Sequence, residues 1–268
     1  MAASAAESFS PPPFPLPLLE VGRALGEMAS LPAANAVLQF APSGDGHPVI
    51  VCPGFLTSDR STTFLRQFIR SRGYRVSGWN LGRNMGPGTA GPNAEFLAKQ
   101  VIDVYRETRR KVSLVGWSLG GLLARELAKR IPDQVRQVIT LGSPIAVGPN
   151  ATSVSWIYRQ VGDTPFPAEE IARMVEELRQ PPAHTPSTAI YSRTDGVVPW
   201  RGSIEPEAPN TDNIEVYASH CGLGVNPFVF FAIADRLALP ENGWRPFDRK
   251  ASRWRRIAYP SSGHAPRA

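Results

Sequence analysis

A chain of 268 residues with 42% hydrophobic and 19% charged side chains is long enough and apolar enough to bury a sizeable core. Its two cysteines, Cys52 and Cys221, exclude a disulfide framework, and their spacing matches no zinc pattern. The formal charge of +6 is local: residues 241–268 carry seven of the 29 basic side chains and two of the 23 acidic ones, so the near-neutral body argues against a nucleic-acid-binding domain.

Residues 1–15 are Pro-rich and read as flexible, and a helical pattern follows from Leu16 to Gln39 without a strong motif, so residues 1–46 form an N-terminal segment. No positive residue precedes the apolar part of this segment and prolines interrupt it, which makes it a poor secretory signal. No apolar run approaches the length of a membrane span, so the expectation is a soluble, cytoplasmic protein. In "HPVIVCPGF", Val49, Ile50 and Val51 form a short β-branched run ended by Pro53 and Gly54, which suits a strand buried on both faces. Phe64, Leu65, Phe68 and Ile69 then fall at helical spacing, and "YRVSGW" is a second strand. The loop over residues 80–93 is too rich in Gly and Pro to be regular. Leu97, Val101, Val104 and Tyr105 mark the next helix face, "KVSLVGW" a third strand, and Leu119–Lys129 a helix. "QVRQVITLGSP" makes a fourth strand, "STAIYSRTDGVVP" a fifth, "NIEVYASH" a sixth, and "NPFVFFAIADRLA" a closing helix.

Strands and helices alternate, so the fold class is α/β with a mostly parallel, doubly wound sheet of six or more strands over residues 47–240. The rhythm breaks at about 146–186, where Ile171, Met174, Val175 and Leu178 mark one amphipathic helix. That stretch reads as a helical cap or lid inserted above the sheet, and residues 241–268 as a basic C-terminal tail.

Gly116-Trp117-Ser118-Leu119-Gly120 is a G-x-S-x-G motif placed between a strand and a helix. Serine is also a preferred helix N-cap, so Ser118 is either a nucleophile or a cap. A serine nucleophile needs a base and the base an orienting carboxylate, in the chain order Ser, Asp or Glu, His. Asp195 follows the fifth strand and His220 the sixth, where such partners belong. His47, His184 and His264 lie before the first strand, in the insertion and in the tail. Asp212 and Glu215, the other carboxylates near the last strand, read as lying at its wrong edge. Acyl transfer also needs donors for the developing oxyanion. Leu119 N–H at the helix start supplies one, and Phe55 N–H in "CPGFLTS" the other.

With these residues in hand, the chain resembles the α/β-hydrolase superfamily, and within it small bacterial lipase- and esterase-like members. "VIVCPGFLTSDRSTTFLRQFIRSRGYRVSGWNLGRN" is similar to their oxyanion strand, helix and next strand, and "LVGWSLGG" to their nucleophile turn. Pro53-Gly54 stands where many relatives have His-Gly, and Trp117 where they have His. The resemblance covers about residues 47–238. It implies carboxylic-ester hydrolysis through a Ser-His-Asp acyl-enzyme, needing neither metal nor cofactor. An acyltransferase using the same residues and a non-catalytic binding member of the fold are the alternatives. Leu56, Trp117 and Met174 are expected in the substrate pocket, which leans towards a small-molecule acyl ester or lipid. In "RKASRWRRIAY", Trp254 and Tyr259 alternate with arginines, a pattern that suits contact with a membrane surface and equally a tail packed on the domain.

Overall fold

A computed structural model of the protein describes residues 9–147 and 168–263. Six strands form one sheet: β1 (Pro48–Cys52), β2 (Arg75–Gly78), β3 (Val112–Trp117), β4 (Val135–Leu141), β5 (Ser187–Tyr191) and β6 (Thr211–Glu215). All pairings are parallel, in the order β2-β1-β3-β4-β5-β6. The chain runs outward from β1 to β2 and then back to β3 on the other side of β1. The gap beyond the ends of β1 and β3 is therefore the point where the winding reverses, and crevices form there in such sheets.

The helices cover both faces. They are α1 (Leu16–Leu38), α2 (Thr63–Ser71), α3 (Pro87–Ala90), α4 (Glu95–Thr108), α5 (Leu119–Arg130), α6 (Ala168–Arg179), α7 (Pro227–Leu237) and α8 (Arg253–Ala258). Because strand side chains alternate, Val49 and Val51 pack under α2 and α7, while Ile50 and Cys52 pack under α4 and α5. Both faces are buried, which is why the strands read as unbroken apolar runs rather than as alternation.

The first strands and main helices fall where the sequence predicts them, with three differences. The loop over residues 80–93, read as irregular, contains the single turn α3, opened by Pro87 at its first position. The last strand begins and ends earlier than "NIEVYASH" predicts. Val216 N–H still donates to the Tyr191 carbonyl at 2.9 Å and Ala218 N–H to Ser192 Oγ at 3.3 Å, but the amides of Ser219, His220 and Cys221 leave the sheet and find partners on α1. Glu215, read as lying at the wrong edge, is thus the last residue of β6; its carboxylate is engaged by Ser261, Tyr191 and Arg193.

Of the expected cap, residues 148–167 lie outside the described residues, as do residues 1–8 of the Pro-rich start. The predicted amphipathic helix is α6, on which Met174 lies, although that side chain is outside the described residues. The basic tail docks on the domain. Trp254 meets Phe231 edge-on at 4.7 Å, and Arg255 lies over the Phe231 ring and pairs with Asp235 at 3.0 Å. Tyr259 is fully buried, and Asp212 accepts the amides of Phe247 and Gly263. Among the described residues, no helix is long and apolar enough to cross a membrane.

Candidate active site

The ends of β1, β3, β4, β5 and β6 bring the sequence-predicted site residues to one edge of the sheet. Ser118 follows β3 directly, with φ 52° and ψ −123°, a conformation that L-residues rarely adopt and that costs about 1–3 kcal/mol. Its N–H donates to the Leu141 carbonyl at 2.8 Å, which ties the turn to β4. The turn needs glycine beside it: a Cβ on Gly120 would fall 2.4 Å from the Pro53 carbonyl oxygen. Ser118 occupies the N-cap position of α5, yet its side chain makes no capping bond. The hydroxyl is therefore not consumed by the helix.

His220 Nδ1 stands 2.7 Å from Asp195 Oδ2, with both side chains buried. Asp195 Oδ1 accepts the amides of Val197 and Val198, so the turn after β5 aims the second oxygen at the imidazole. With Nδ1–H donating to Asp195, Nε2 is the nitrogen left to act as a base. Burial alone would lower the pKa of His220. The Asp195 charge and hydrogen bond, with Glu20 behind them, outweigh it and hold the pKa above its ordinary value.

This pair lies over Gly142, the residue that follows β4. A Cβ there would come 2.9 Å from Asp195 Oδ2 and 3.2 Å from His220 Nδ1. Since Ser118 is bonded to Leu141, one residue earlier, the serine turn and the acid–base pair share a single support. Trp117, expected in the substrate pocket, packs against the core and donates its indole N–H to the His220 carbonyl at 3.1 Å.

The loop after β1 closes the other side. A Cβ on Gly54 would stand 3.4 Å from Ser118 Cβ, which brings the Pro53–Thr57 backbone alongside the serine. Phe55 is partly buried against Leu119, Leu122, Val147 and Val198, and Leu119 opens α5 with one of the unpaired amides of a helix start. Leu56 is half exposed. A residue without a motif holds this loop: Asn84, fully buried, donates to the Pro53 carbonyl at 2.7 Å while its own carbonyl accepts Leu56 N–H at 2.8 Å.

Burial pushes the Cys52 and Cys221 thiols up to about 12, so neither supplies a thiolate at neutral pH. Among the described residues, no group of three His, Cys, Asp or Glu side chains could hold a metal ion. A cavity of about 310 Å³, whose lining does not include Ser118, opens beside Asp195 between Phe9, Pro13, Arg193 and Trp200.

Residues 49–268 match the model of the alpha/beta hydrolase family, and the chain belongs to that family. The human serine hydrolase BPHL is 29% identical over 157 residues, which is 54% of this chain and 52% of that protein. A triacylglycerol lipase of Burkholderia plantarii is 33% identical over 126 residues, 44% of this chain and 34% of the lipase. The chain thus spans about half the length of the human relative and a third of the bacterial one. Among solved structures, Aspergillus fumigatus lipase B superposes with a TM-score of 0.56 at 18% identity, over 74% of this chain and 54% of that one. Bacillus licheniformis lipase BlEst2 superposes with 0.53 at 16% identity, over 75% and 95%. At such identities these two speak for the fold.

Proposed function

We propose that this protein is a serine hydrolase of carboxylic esters, with Ser118 as nucleophile, His220 as general base and acid, and Asp195 as the group that orients it. The observation that carries this reading is the 2.7 Å contact between His220 and Asp195 directly over Gly142, the neighbour of the residue to which Ser118 is bonded. Ser118 attacks the ester carbonyl while His220 Nε2 takes its proton, and the resulting imidazolium is stabilised by Asp195. The amides of Phe55 and Leu119 receive the oxyanion. His220 returns the proton to the leaving alcohol, then activates water to hydrolyse the acyl-enzyme. The apolar cluster of Leu119, Leu122, Val147 and Val198 beside the serine favours an apolar acyl group. The similarity to a triacylglycerol lipase supports an ester substrate, and the similarity to a serine hydrolase supports a serine nucleophile.

The test is hydrolysis of p-nitrophenyl esters from acetyl to palmitoyl by wild type and Ser118→Ala. Wild type is expected to turn over at least one ester, with Ser118→Ala lower by about 10³-fold or more. Equal rates in the two proteins would remove the reading. The preferred chain length separates an esterase from a lipase.

A further inference from the structure

The charged stripe of α1 takes no part in that chemistry, yet all of it points at the loops that carry the chemistry. Glu20, Arg23 and Glu27 are the only charged residues of α1, and their spacing places them on one face. Glu20 is buried. Its Oε1 accepts the amides of Gly196 at 2.7 Å and His220 at 3.1 Å, and its Oε2 accepts the amide of Cys221 at 2.8 Å. Arg23 donates to the Thr194 carbonyl at 2.6 Å and its hydroxyl at 2.7 Å. Glu27 accepts Ser219 N–H at 2.7 Å and the Asn226 amide at 2.9 Å. The residues flanking Asp195 and those flanking His220 are thereby fastened to one helix. The outer face carries Leu18, Val21 and Leu25, all exposed, so this half of α1 is held by polar bonds to the loops rather than by burial of its apolar side.

We infer that Glu20 is a positioning residue for His220: bridging the turn after Asp195 to the backbone of His220 and Cys221, it fixes the acid–base separation and the direction of the imidazole. This rests on the roles given above to Ser118, Asp195 and His220. The bridge also brings charge. Among the described residues, the charged groups facing His220 are Asp195 from the β5 loop and Glu20 from α1. β3 and β4 present Trp117 and Gly142, both uncharged, and the histidine's own loop adds the Cys221 thiol and Ser219, which is bonded to Glu27. The negative charge of Glu20 favours the imidazolium, so its removal lowers the pH at which His220 becomes a free base.

The wild-type chain of 268 residues, Glu20→Gln, Glu20→Asp and Ser118→Ala are compared in p-nitrophenyl butyrate hydrolysis from about pH 5 to about pH 9. Thermal melts and the downfield proton resonance of His220 Nδ1–H are recorded alongside. Folded Glu20→Gln is expected to lose about 10- to 100-fold in kcat with KM within about twofold. The acid limb of its kcat/KM profile moves to lower pH, and its downfield resonance shifts or broadens. Glu20→Asp keeps the charge, so its limb stays in place and part of kcat returns. A lower melting temperature with kcat, limb and resonance unchanged in Glu20→Gln would overturn the inference. If Glu20→Gln does not fold, Gly196→Ala replaces it, because its methyl would sit 2.7 Å from the Leu16 backbone and 2.8 Å from Glu20 Oε1. Unchanged kcat and resonance in that variant would also count against Glu20. Ser118→Ala separates the two failures. Full activity in it removes the serine mechanism, and the resonance then judges Glu20 without any ester.

Discussion

Gly142 shows how little room the site leaves at single positions. Its φ of 53° disfavours a side chain, and the contacts a methyl would make there are the two atoms of the acid–base hydrogen bond and Leu223 Cδ1 at 2.6 Å. Gly142→Ala is therefore expected to displace His220 relative to Ser118. In steady-state assays its kcat/KM should fall about 100-fold, with ground-state binding less affected. Asn84 works in the same way on the opposite wall, pinning the loop that carries Phe55 from a segment whose composition signals only irregularity. Neither residue announces itself in the sequence, because a glycine after a strand and an asparagine in a loop are common for local reasons.

Among the elements, α5 serves both the serine and the chain that returns from the expected cap. Its first residue offers an amide beside Ser118, while Arg125 in its middle is fully buried and meets Glu205 in a two-pronged pair at 2.7 and 2.8 Å. The same guanidinium donates to the carbonyls of Leu178 and Arg179, where α6 ends, and Glu205 accepts Ser187 Oγ at 2.6 Å at the start of β5. Arg125→Met would strand a buried carboxylate and remove a charged donor from both of those carbonyls. A loss of about 3–5 kcal/mol is expected in urea unfolding, with part of it recovered in Arg125→Met/Glu205→Leu because no uncompensated charge then remains. The helices and strands themselves were largely legible, since short β-branched runs and 3.6-residue spacing are local signals. β6 starts two residues before "NIEVYASH" and ends five residues before its last residue, and it ends early because the amides of Ser219, His220 and Cys221 are satisfied by α1 carboxylates instead of a neighbouring strand.

For the whole molecule, the parallel sheet gathers the candidate chemistry at one edge and leaves the other edge to stability. His47, at the start of β1, is fully buried between Asp45 at 2.5 Å and Ser113 at 2.8 Å. Burial, and then the charge of Arg136, lower its pKa to about 4 against the partly compensating Asp45. Between pH 6.5 and about 4 the unfolded chain binds a proton that the folded chain refuses, so stability falls as the pH drops through this window. His220, with its pKa raised, contributes with the opposite sign: its stabilisation is present below the unfolded value and is lost as the pH rises. Melting temperatures followed from neutral to acid pH should decline for wild type, and His47→Gln should flatten that decline.

The sequence by itself determined the α/β architecture, the order of its strands along the chain, and the candidate Ser118, Asp195 and His220, because each is written in a short window: an apolar run, a turn residue, a motif between strand and helix. Only the tertiary structure decided that Ser118 does not cap its helix, that Trp117 braces the His220 loop, and that Glu20 and Glu27 reach across to the loops at the far end of the chain. The Glu20 and Glu27 contacts join positions 176 to 201 residues apart. No local pattern encodes them, since a carboxylate on a helix face reads as a solvated charge until the fold sets unpaired backbone amides against it.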